Sequence, residues 1–481
     1  MKSAPGHKIT VVVLLRLFFS GIYIFNNLRH FIRVFSVGLM LNLYLRNIPL
    51  AEKRSLGNQM LIMARLSVLA GQIQAVKSTA SPKEQRKVLL NGLKKLPLPP
   101  LFQLPSSPGV LCTGIETSKC RIIDSTNKPL RLVFTTVDRA VDGRPTADLH
   151  VMFKKGDDVR QDQLILQLLA VMDSVWKEND MDLCLSPYRC VATGFNEGML
   201  EMVPNSKTIE DIVRNHSKLH ADEDKSKTSS TSHPDQSIVE WLRMYNELPA
   251  GSKSQQSKSM LIKNTSDSAA SNGAAQHAGI RRDPETMDPV EFYLVEVTGL
   301  DAARRRFMLS LAGYCVMACV LGLGNRHFGN IMIRRNGEIF HIDFDLLLGK
   351  VDGSSSAGTT SGKTPAADAA SEDEEGSGSA NDNILRKPFH MARAYLAMLG
   401  GRNGDLYREF ELLACEAFNV LRRKKNATMI MGLLSLMTAS DMEELKSEKD
   451  LKYVRDQLQV SKTDDEVTVD FRRFLSEGAD R

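Results

Sequence analysis

Residues 307–345 constrain the fold more than any other stretch of this chain, because they predict a buried helix, a polar loop and a β-hairpin in that order. Phe307–Leu323 is almost wholly apolar, which is typical of a helix buried at the centre of a core. A polar loop follows, and two β-prone runs then flank Asn336-Gly337, the strongest short hairpin signal. The chain continues into Asp343-Phe344. We therefore expect a buried helix and a hairpin that presents polar loops at its ends.

Composition excludes several classes of protein. Hydrophobic residues make up 42% and charged residues 25% of the 481 residues, the balance of a globular chain with two or three domains. The net charge of +5 is slight and no long basic run is present, so we expect no nucleic acid partner. Seven cysteines without a Cys-x-x-Cys pair argue against a disulfide framework and against a structural zinc site. A reducing cytoplasm fits best.

Residues 1–50 form an apolar, basic segment with six basic and no acidic residues. Its apolar runs, Ile9–Phe25 and Val34–Leu45, are poor membrane helices. Arg16 interrupts the first run, and the second is shorter than the about 20 residues that a bilayer requires. Three interpretations stay open: a membrane anchor or targeting signal, buried helices of a truncated upstream domain, and a wrongly chosen translation start. We favour the last two.

The next part of the chain predicts a helical segment followed by two lobes. Residues 51–100 show helical spacing, with Ser81-Pro82 as a predicted cap, and several prolines mark the boundary that follows. Residues 101–205 predict a β-rich lobe with one packed helix, and residues 206–476 predict a helical lobe. The predicted elements of the first lobe are strands at Leu130–Thr136, Leu149–Lys154, Tyr188–Thr193 and Gly198–Val203, and a helix at Val159–Glu178.

Two stretches interrupt the globular pattern. Residues 252–279 are rich in Ser, Lys, Ala and Gln, and residues 351–383 are rich in Gly, Ser, Ala and acidic residues. Neither stretch can bury enough apolar surface to offset the entropy lost on ordering. We therefore expect both to be disordered insertions.

The polar loop and the segments around it carry groups suited to phosphoryl transfer. That reaction needs chiefly a lysine on the phosphates, metal ions and a base near the acceptor. Lys154 ends a predicted strand, His327 and Asn330 lie in the loop, and Asp343 follows the hairpin. This is the order in which kinases place the same groups. Each residue alone means little, and the prediction depends on their joint order.

Three runs of residues resemble the signature of the phosphatidylinositol 3-kinase family: Phe153–Gln167, Ser310–Cys315 and Gly324–Asn330. The likeness covers about residues 55–250 and 285–476. It implies an α+β, two-lobed PI3/PI4-kinase-like catalytic domain, with a β-rich N-lobe and a helical C-lobe, preceded by a partial α-helical domain. Features such as Pro97–Pro100 are closest to class III of the family, and class II is the nearest rival.

The resemblance implies an ATP site in the N-lobe. Lys154 is expected to contact the phosphates, and Ser125 lies in the loop 124–129, which matches the family's phosphate-covering loop. Glu201 and Val203 are expected at the adenine hinge. The full set of residues predicted to bind the nucleotide is Ser125, Lys154, Asp157, Asp162, Tyr188, Glu201 and Val203.

The resemblance also implies where the catalytic and metal-binding residues lie. His327 is the expected base for the inositol 3-hydroxyl, and Asn325 and Arg326 complete the catalytic set. Asn330 and Asp343 are expected to hold Mg²⁺, or Mn²⁺ in its place.

Two residues depart from the family pattern. Asn325 stands where the family has aspartate, and the lost charge predicts weaker catalysis and faster turnover in Asn325→Asp. Asp345 stands where glycine is expected, and its side chain would strain a backbone with positive φ. A weak or inactive kinase-fold scaffold is therefore one alternative. A class II-like phosphoinositide 3-kinase and a protein kinase of the same atypical fold are the others.

The resemblance implies a lipid kinase that transfers the ATP γ-phosphate to the 3-hydroxyl of phosphatidylinositol. We expect a cytoplasmic protein, peripheral on endosomal and autophagic membranes, where the product would be phosphatidylinositol 3-phosphate. Expected partners are membrane phosphatidylinositol, a regulatory kinase-like subunit and coiled-coil adaptors. The acidic run Glu372–Glu375 predicts that unphosphorylated phosphatidylinositol is the better acceptor, because like charges repel.

Overall fold

The structure, a computed structural model, describes residues 28–137, 148–223, 234–246, 257–263, 276–282, 289–297, 299–349, 389–440, 442 and 445–479. These residues form two compact units. The first holds the described residues within Met1–Ala170, Pro187–Pro204 and Met437–Met442, and the second holds those within Val171–Ser186, Asn205–Leu436 and Glu443–Arg481. None of the described helices combines the length and the apolar character needed to cross a membrane.

The first unit is built on an antiparallel sheet. Its strands are β1 (Phe102–Leu104), β2 (Ser107–Ile115), β3 (Arg121–Ile122), β4 (Leu130–Thr136), β5 (Leu149–Lys155), β6 (Cys190–Gly194) and β7 (Glu197–Glu201). Its helices are α1 (Leu28–Asn47), α2 (Leu50–Ala75), α3 (Pro82–Lys94) and α4 (Arg160–Lys177), of which α4 belongs to the second unit from Val171 onward. The strand order is β1-β2-β4-β5-β7-β6, with β3 beside β4. The predicted β-rich lobe is thus confirmed.

Helices α2 and α3 pack on one face of this sheet. Leu66 and Ile73 of α2 and Leu89 of α3 share one buried core with Phe134 of β4 and Phe153 of β5. Burying each of these side chains contributes about 1.5–3 kcal/mol, so the helical segment and the sheet stabilise each other. The end of β5 is therefore attached to a rigid layer of helices.

The start of α3 follows the predicted cap. The Ser81 hydroxyl accepts a hydrogen bond from the Glu84 N–H at 3.4 Å, and the Glu84 carboxylate accepts one from the Ser81 N–H at 2.7 Å. Pro82 occupies the first helical position, where its missing N–H is not needed. These local contacts explain why the sequence alone located this helix.

The second unit is mainly helical. Its strands are β8 (Ser206–Thr208), β9 (Ser257–Lys263), β10 (Gln276–Arg282), β11 (Pro289–Val297), β12 (Ile331–Arg334) and β13 (Ile339–His341). Its helices are α5 (Ile209–Glu223), α6 (Ser237–Asn246), α7 (Gly299–Leu321), α8 (Arg393–Leu399), α9 (Asp405–Arg422), α10 (Lys424–Met437), α11 (Lys452–Leu458) and α12 (Asp464–Ala479). The strands form two sheets, ordered β13-β12-β8 and β10-β11-β9. The predicted helical lobe is confirmed, together with its buried helix α7.

The predicted hairpin is strands β12 and β13. Ile331 pairs with His341, and the turn between the strands contains Gly337 at φ +98°. A Cβ at Gly337 would lie 2.0 Å from the carbonyl oxygen of Ala303 in α7. Both the backbone angle and this close approach therefore require glycine in the turn.

Part of the structure differs from the expected disorder. Strand β9 and the first residues of β10 lie within residues 252–279, and both pair with β11. The prediction of disorder considered only the polar composition of residues 252–279. The β-branched and aromatic residues of β11 favour a strand, and pairing with β11 explains why polar segments also form strands. Residues 1–27, 252–256, 264–275 and 351–383 lie outside the described residues, so the expectations for them stay predictions.

Candidate active site

In the second unit, the polar loop after α7 runs beside the segment that follows β13. The Gly324 N–H donates to the carbonyl oxygen of Leu346 at 3.0 Å, and the Leu348 N–H donates to that of Leu321 at 2.8 Å. These backbone bonds bring together two segments that the hairpin separates in the sequence. The predicted catalytic and metal-binding residues of this unit all lie in these two segments.

Helix α7 fixes the position of β13. The Ser310 hydroxyl accepts a hydrogen bond from the Ile339 N–H at 3.0 Å, and the His341 ring stacks on Tyr314 with 4.6 Å between centroids. Burial, followed by the nearby charge of Arg326, lowers the pKa of His341 well below its ordinary value. His341 is therefore a neutral ring in the core that helps to anchor the strand leading to the site.

Arg326 ties the polar loop to the segment after β13. Its buried guanidinium donates to the carbonyl oxygens of Gly324 at 2.7 Å and Ile342 at 2.9 Å, and to that of Asp343. It also lies over the Phe344 ring, 5.4 Å from the centroid. A buried guanidinium that donates to backbone carbonyls acts on the shape of the loop. In the structure Arg326 therefore positions the loop, and the catalytic role expected for it stays a prediction.

Asn330 is joined by a backbone hydrogen bond to Ile342, the residue before Asp343, and the two side chains carry oxygens of the kind that Mg²⁺ binds. The Asn330 carbonyl oxygen accepts from the Ile342 N–H at 3.0 Å, and the Asn330 side-chain nitrogen donates to the carbonyl oxygen of Asn325 at 3.0 Å. This second bond leaves the oxygen of the Asn330 amide as the atom that can bind a metal. Asp343 is exposed and has φ 58°, a conformation that aspartate tolerates better than most residues.

The donor set also fits the way that magnesium binds. Mg²⁺ usually takes one or two carboxylates and completes its shell with substrate phosphates and water. Among the residues that the structure describes, no three His, Cys, Asp or Glu side chains gather into a metal site. One carboxylate from Asp343 and one amide oxygen from Asn330 would therefore hold the ion with the help of ATP.

His327 is exposed in the polar loop, and its ring contacts the backbone of the same loop. The Gly329 N–H donates to Nδ1 of His327 at 3.0 Å. A neutral imidazole has one donor and one acceptor nitrogen, so an acceptor at Nδ1 places the proton on Nε2. The ring can then accept a further proton only at Nδ1, after the bond to Gly329 is released.

The two residues that depart from the family pattern contact each other. The Asn325 amide donates to the Asp345 carboxylate at 2.9 Å, and this carboxylate also lies 3.9 Å from the Arg326 guanidinium. The strain expected at Asp345 is wrong, because Asp345 does not have a positive φ, whereas Asp343 at 58° and Leu348 at 60° in the same segment do. Asn325 has φ 56°, which asparagine adopts more readily than most residues.

In the first unit, Lys154 lies on the sheet face opposite α2 and α3. Successive side chains of a strand point to opposite faces, and Val151 and Phe153 point into the core shared with these helices. Lys154 pairs with Gly198 of β7, where a Cβ would lie 2.2 Å from the Val159 side chain. The start of α4 therefore packs closely on the face that carries Lys154.

The other predicted nucleotide residues of the first unit lie around this face. Asp162 is buried in the first turn of α4, and Tyr188 is buried just before β6. The Glu201 N–H donates to the carbonyl oxygen of Arg189 at 2.8 Å where β7 ends, and Val203 follows two residues later. The first unit thus holds Lys154 and Asp162 on one side of the sheet, next to the strand that ends at the predicted hinge.

Ser125 is exposed on the loop 124–129, which is tied to the end of β5. The side-chain nitrogen of Asn127 donates to the carbonyl oxygen of Gly156 at 3.4 Å and to the Asp157 carboxylate. Asp157 was expected to bind nucleotide, and in the structure its carboxylate holds the loop. The motifs of the sequence did not point to Asn127, although asparagine among the turn-forming residues 124–129 is typical of a structured loop.

These features define a class of protein. A β-rich lobe with a lysine at a strand end, and a helical lobe with a polar loop, a hairpin and an exposed aspartate, define a two-lobed α+β kinase fold. Residues 148–447 match the family described as Phosphatidylinositol 3- and 4-kinase, and the chain belongs to this family. The resemblance to phosphatidylinositol 3-kinases is thereby confirmed.

Known proteins similar to the chain support this assignment. Phosphatidylinositol 3-kinase 2 of Dictyostelium discoideum is 32% identical over 440 residues, 91% of this chain and 19% of that protein. Phosphatidylinositol 3-kinase 3 of the same organism is 29% identical over 86% of this chain and 19% of its own length. The human Phosphatidylinositol 3-kinase C2 domain-containing subunit gamma is 27% identical over 86% of this chain and 22% of its own length. The chain spans about a fifth of the length of these curated relatives.

Proposed function

We propose that this chain is a lipid kinase that transfers the γ-phosphate of ATP to the 3-hydroxyl of phosphatidylinositol. The observation that carries the proposal is the arrangement of the second unit, where Arg326 and the backbone of Asn330 attach the exposed His327 loop to the Asp343 segment. The names of the similar proteins support the choice of an inositol lipid as acceptor.

Each residue has one task in the proposed reaction. Lys154 and the loop around Ser125 bind the phosphates, and Asn330 and Asp343 hold the metal ion. When bound, Mg²⁺ neutralises charge on the transferring phosphate. His327 releases its bond from the Gly329 N–H and takes the proton of the acceptor hydroxyl at Nδ1, as the oxygen bonds to the γ-phosphorus and the bond to ADP breaks.

The acceptor is proposed to be unphosphorylated phosphatidylinositol, as in class III of the family. The acidic run Glu372–Glu375 supports this, because it would repel a headgroup that carries further phosphates. A second candidate is a class II-like activity on phosphatidylinositol 4-phosphate. It is favoured by the similarity to a protein of Pongo abelii named Phosphatidylinositol 4-phosphate 3-kinase C2 domain-containing subunit alpha, which is 29% identical over 78% of this chain.

A vesicle assay separates these candidates. The full chain is given labelled ATP, Mg²⁺ and vesicles that contain phosphatidylinositol, its 4-phosphate or its 4,5-bisphosphate, and the position of the new phosphate is determined on the product. We expect 3-phosphorylation, fastest on phosphatidylinositol. Faster use of the 4-phosphate would favour the class II-like activity, and ATP binding without any lipid product would favour the scaffold.

Lys154→Met tests whether the product comes from this site. Lys154 supplies a charge that matters most in the transition state, so turnover should fall by at least about a hundredfold. Lys87→Met is the control, because Lys87 is exposed on α3 in the same unit. Unchanged lipid phosphorylation in Lys154→Met would remove this lysine from the mechanism.

The cellular setting belongs to the same proposal. The resemblance to class III supports a cytoplasmic enzyme that works on endosomal and autophagic membranes with a regulatory kinase-like subunit and coiled-coil adaptors. Imaging of the tagged chain together with a phosphatidylinositol 3-phosphate probe tests the location. A distribution unrelated to that probe would contradict it.

A further inference from the structure

Gln74, near the end of α2, joins two separate segments of the first unit. Its side-chain nitrogen donates to the carbonyl oxygen of Asn127 at 2.8 Å and to that of Lys155 at 2.7 Å. Gln74 lies outside residues 148–447, which match the family. Its two hydrogen bonds therefore connect the helical segment that precedes the matched residues to the β-rich lobe.

Both carbonyl groups belong to the proposed phosphate site. Asn127 lies in the loop that carries Ser125, and Lys155 follows Lys154 on β5. The Asn127 side chain also donates to the carbonyl oxygen of Gly156, the residue that follows β5. Gly156 has φ +93°, a conformation that favours glycine. A Cβ at Gly156 would lie 3.3 Å from the Asn127 side chain. The loop and the end of β5 are thus joined both through the Gln74 side chain and through the Asn127 side chain.

Helix α2 supplies a rigid base for this contact. Its apolar face, including Leu66 and Ile73, is fully buried in the core of the first unit. Ser67 accepts a hydrogen bond from Nζ of Lys155 at 2.7 Å, and Nζ of Lys77 donates to the carbonyl oxygen of Thr126 at 3.3 Å. Ser67 and Gln74 of α2, and Lys77 two residues after its end, therefore all contact either the loop 124–129 or the end of β5.

We propose that Gln74 is a positioning residue that sets the separation between the phosphate-covering loop and Lys154. This inference rests on the proposed function, because it concerns the ATP phosphates. Two carbonyl dipoles that face one donor repel each other once that donor is removed, and the loop then samples more conformations. Ordering those conformations again on binding weakens the affinity for the nucleotide.

The test compares Gln74→Met with Gln72→Met in the full chain. Methionine keeps the length and apolar stem of glutamine and lacks both donors. Gln72 lies on the same helix and is exposed, so its substitution controls for helix propensity. The measurements are kcat and KM for ATP, the affinity for a fluorescent ATP analogue, and hydrogen exchange of the amides in the loop 124–129.

We expect Gln74→Met to raise KM for ATP and the Kd of the analogue by roughly tenfold, as the loss of two hydrogen bonds implies. The change in kcat should be smaller, and exchange in the loop should accelerate. Gln72→Met should match the wild type in all four measurements. A Gln74→Met chain with unchanged KM, Kd and exchange would overturn the inference.

The outcome also separates this inference from the proposed function. If the wild-type chain binds no ATP analogue, the proposed function fails, and exchange in the loop alone decides the role of Gln74. Faster exchange in Gln74→Met then supports the positioning role. Unchanged exchange overturns that role as well.

Discussion

The side-chain amide of Asn325 donates a hydrogen bond to the carboxylate of Asp345 at 2.9 Å. These are the two residues that the resemblance marks as departures from the family pattern, and the structure makes them hydrogen-bond partners. The carboxylate that Asn325 lacks is supplied by Asp345, from the segment that carries Asp343. We therefore expect the two departures to compensate each other in charge and in hydrogen bonding.

This pairing predicts the effect of exchanging the two residues. Asn325→Asp alone places two carboxylates within hydrogen-bonding distance, and their repulsion should lower kcat by roughly tenfold. The double variant Asn325→Asp/Asp345→Asn keeps one amide and one carboxylate, so it should recover most of the wild-type rate. Steady-state kinetics on phosphatidylinositol vesicles measure both effects.

The sequence alone led to the opposite expectation, a faster enzyme on Asn325→Asp. A rate gain in that single variant would mean that the contact with Asp345 has no part in catalysis. Equal losses in the single and the double variant would mean the same.

The contact between His327 and Gly329 predicts how His327 variants behave. If His327 accepts the hydroxyl proton, His327→Gln should be as inactive as His327→Ala, with a loss of about a hundredfold to ten-thousandfold. Glutamine can donate a hydrogen bond like Nε2 but cannot accept a proton. Residual activity in His327→Gln well above that of His327→Ala would instead assign a donor role to Nε2. Nucleotide binding by both variants serves as the control for folding.

The buried position of Arg326 predicts a loss of stability as well as of activity. Lysine at this position keeps the charge but cannot donate to three carbonyl oxygens in a fixed geometry. Arg326→Lys should lower the free energy of unfolding by about 1–3 kcal/mol, because carbonyl groups lose their partner. Urea denaturation measures this, with Arg473→Lys on the exposed face of α12 as the control. Equal unfolding midpoints for the two variants would argue against the tie between the loop and the Asp343 segment.

Local signals explain which parts of the fold were predictable. Strand β4 spans Leu130–Thr136 as predicted, α3 begins after the cap at Ser81, and the turn of the β12–β13 hairpin contains Gly337. In each case, the residues that decide the structure lie within a few positions of one another. The order of the polar loop, the hairpin and Asp343 was equally readable, because it occupies one continuous stretch.

Contacts between distant residues explain what the sequence did not predict. The partners of Gln74 lie 53 and 81 residues away, and Asp345 lies 20 residues from Asn325 across the hairpin. Nothing local marks either contact. Likewise, the composition around β9 is polar, and only the pairing with β11 makes that segment a strand. The placement of these residues depends on tertiary packing, which no periodicity or composition encodes.

The final prediction concerns the buried ion pair between α7 and α9. Nη1 of Arg305 donates to both carboxylate oxygens of Glu409, at 2.8 and 2.7 Å, and both side chains are buried. Removing one partner leaves an uncompensated buried charge, so Glu409→Leu should lower the free energy of unfolding by about 3–5 kcal/mol.

The double variant Arg305→Leu/Glu409→Leu removes both charges and should be more stable than either single variant. Lys452→Ala, which breaks the exposed pair with Asp456 on α11, should change stability by no more than about 1 kcal/mol. Because α7 also holds β13 through Ser310, the single variants should lose lipid kinase activity at lower temperature than the double variant. Additive losses in the double variant, measured by chemical denaturation, would show that Arg305 and Glu409 stabilise the unit independently of each other.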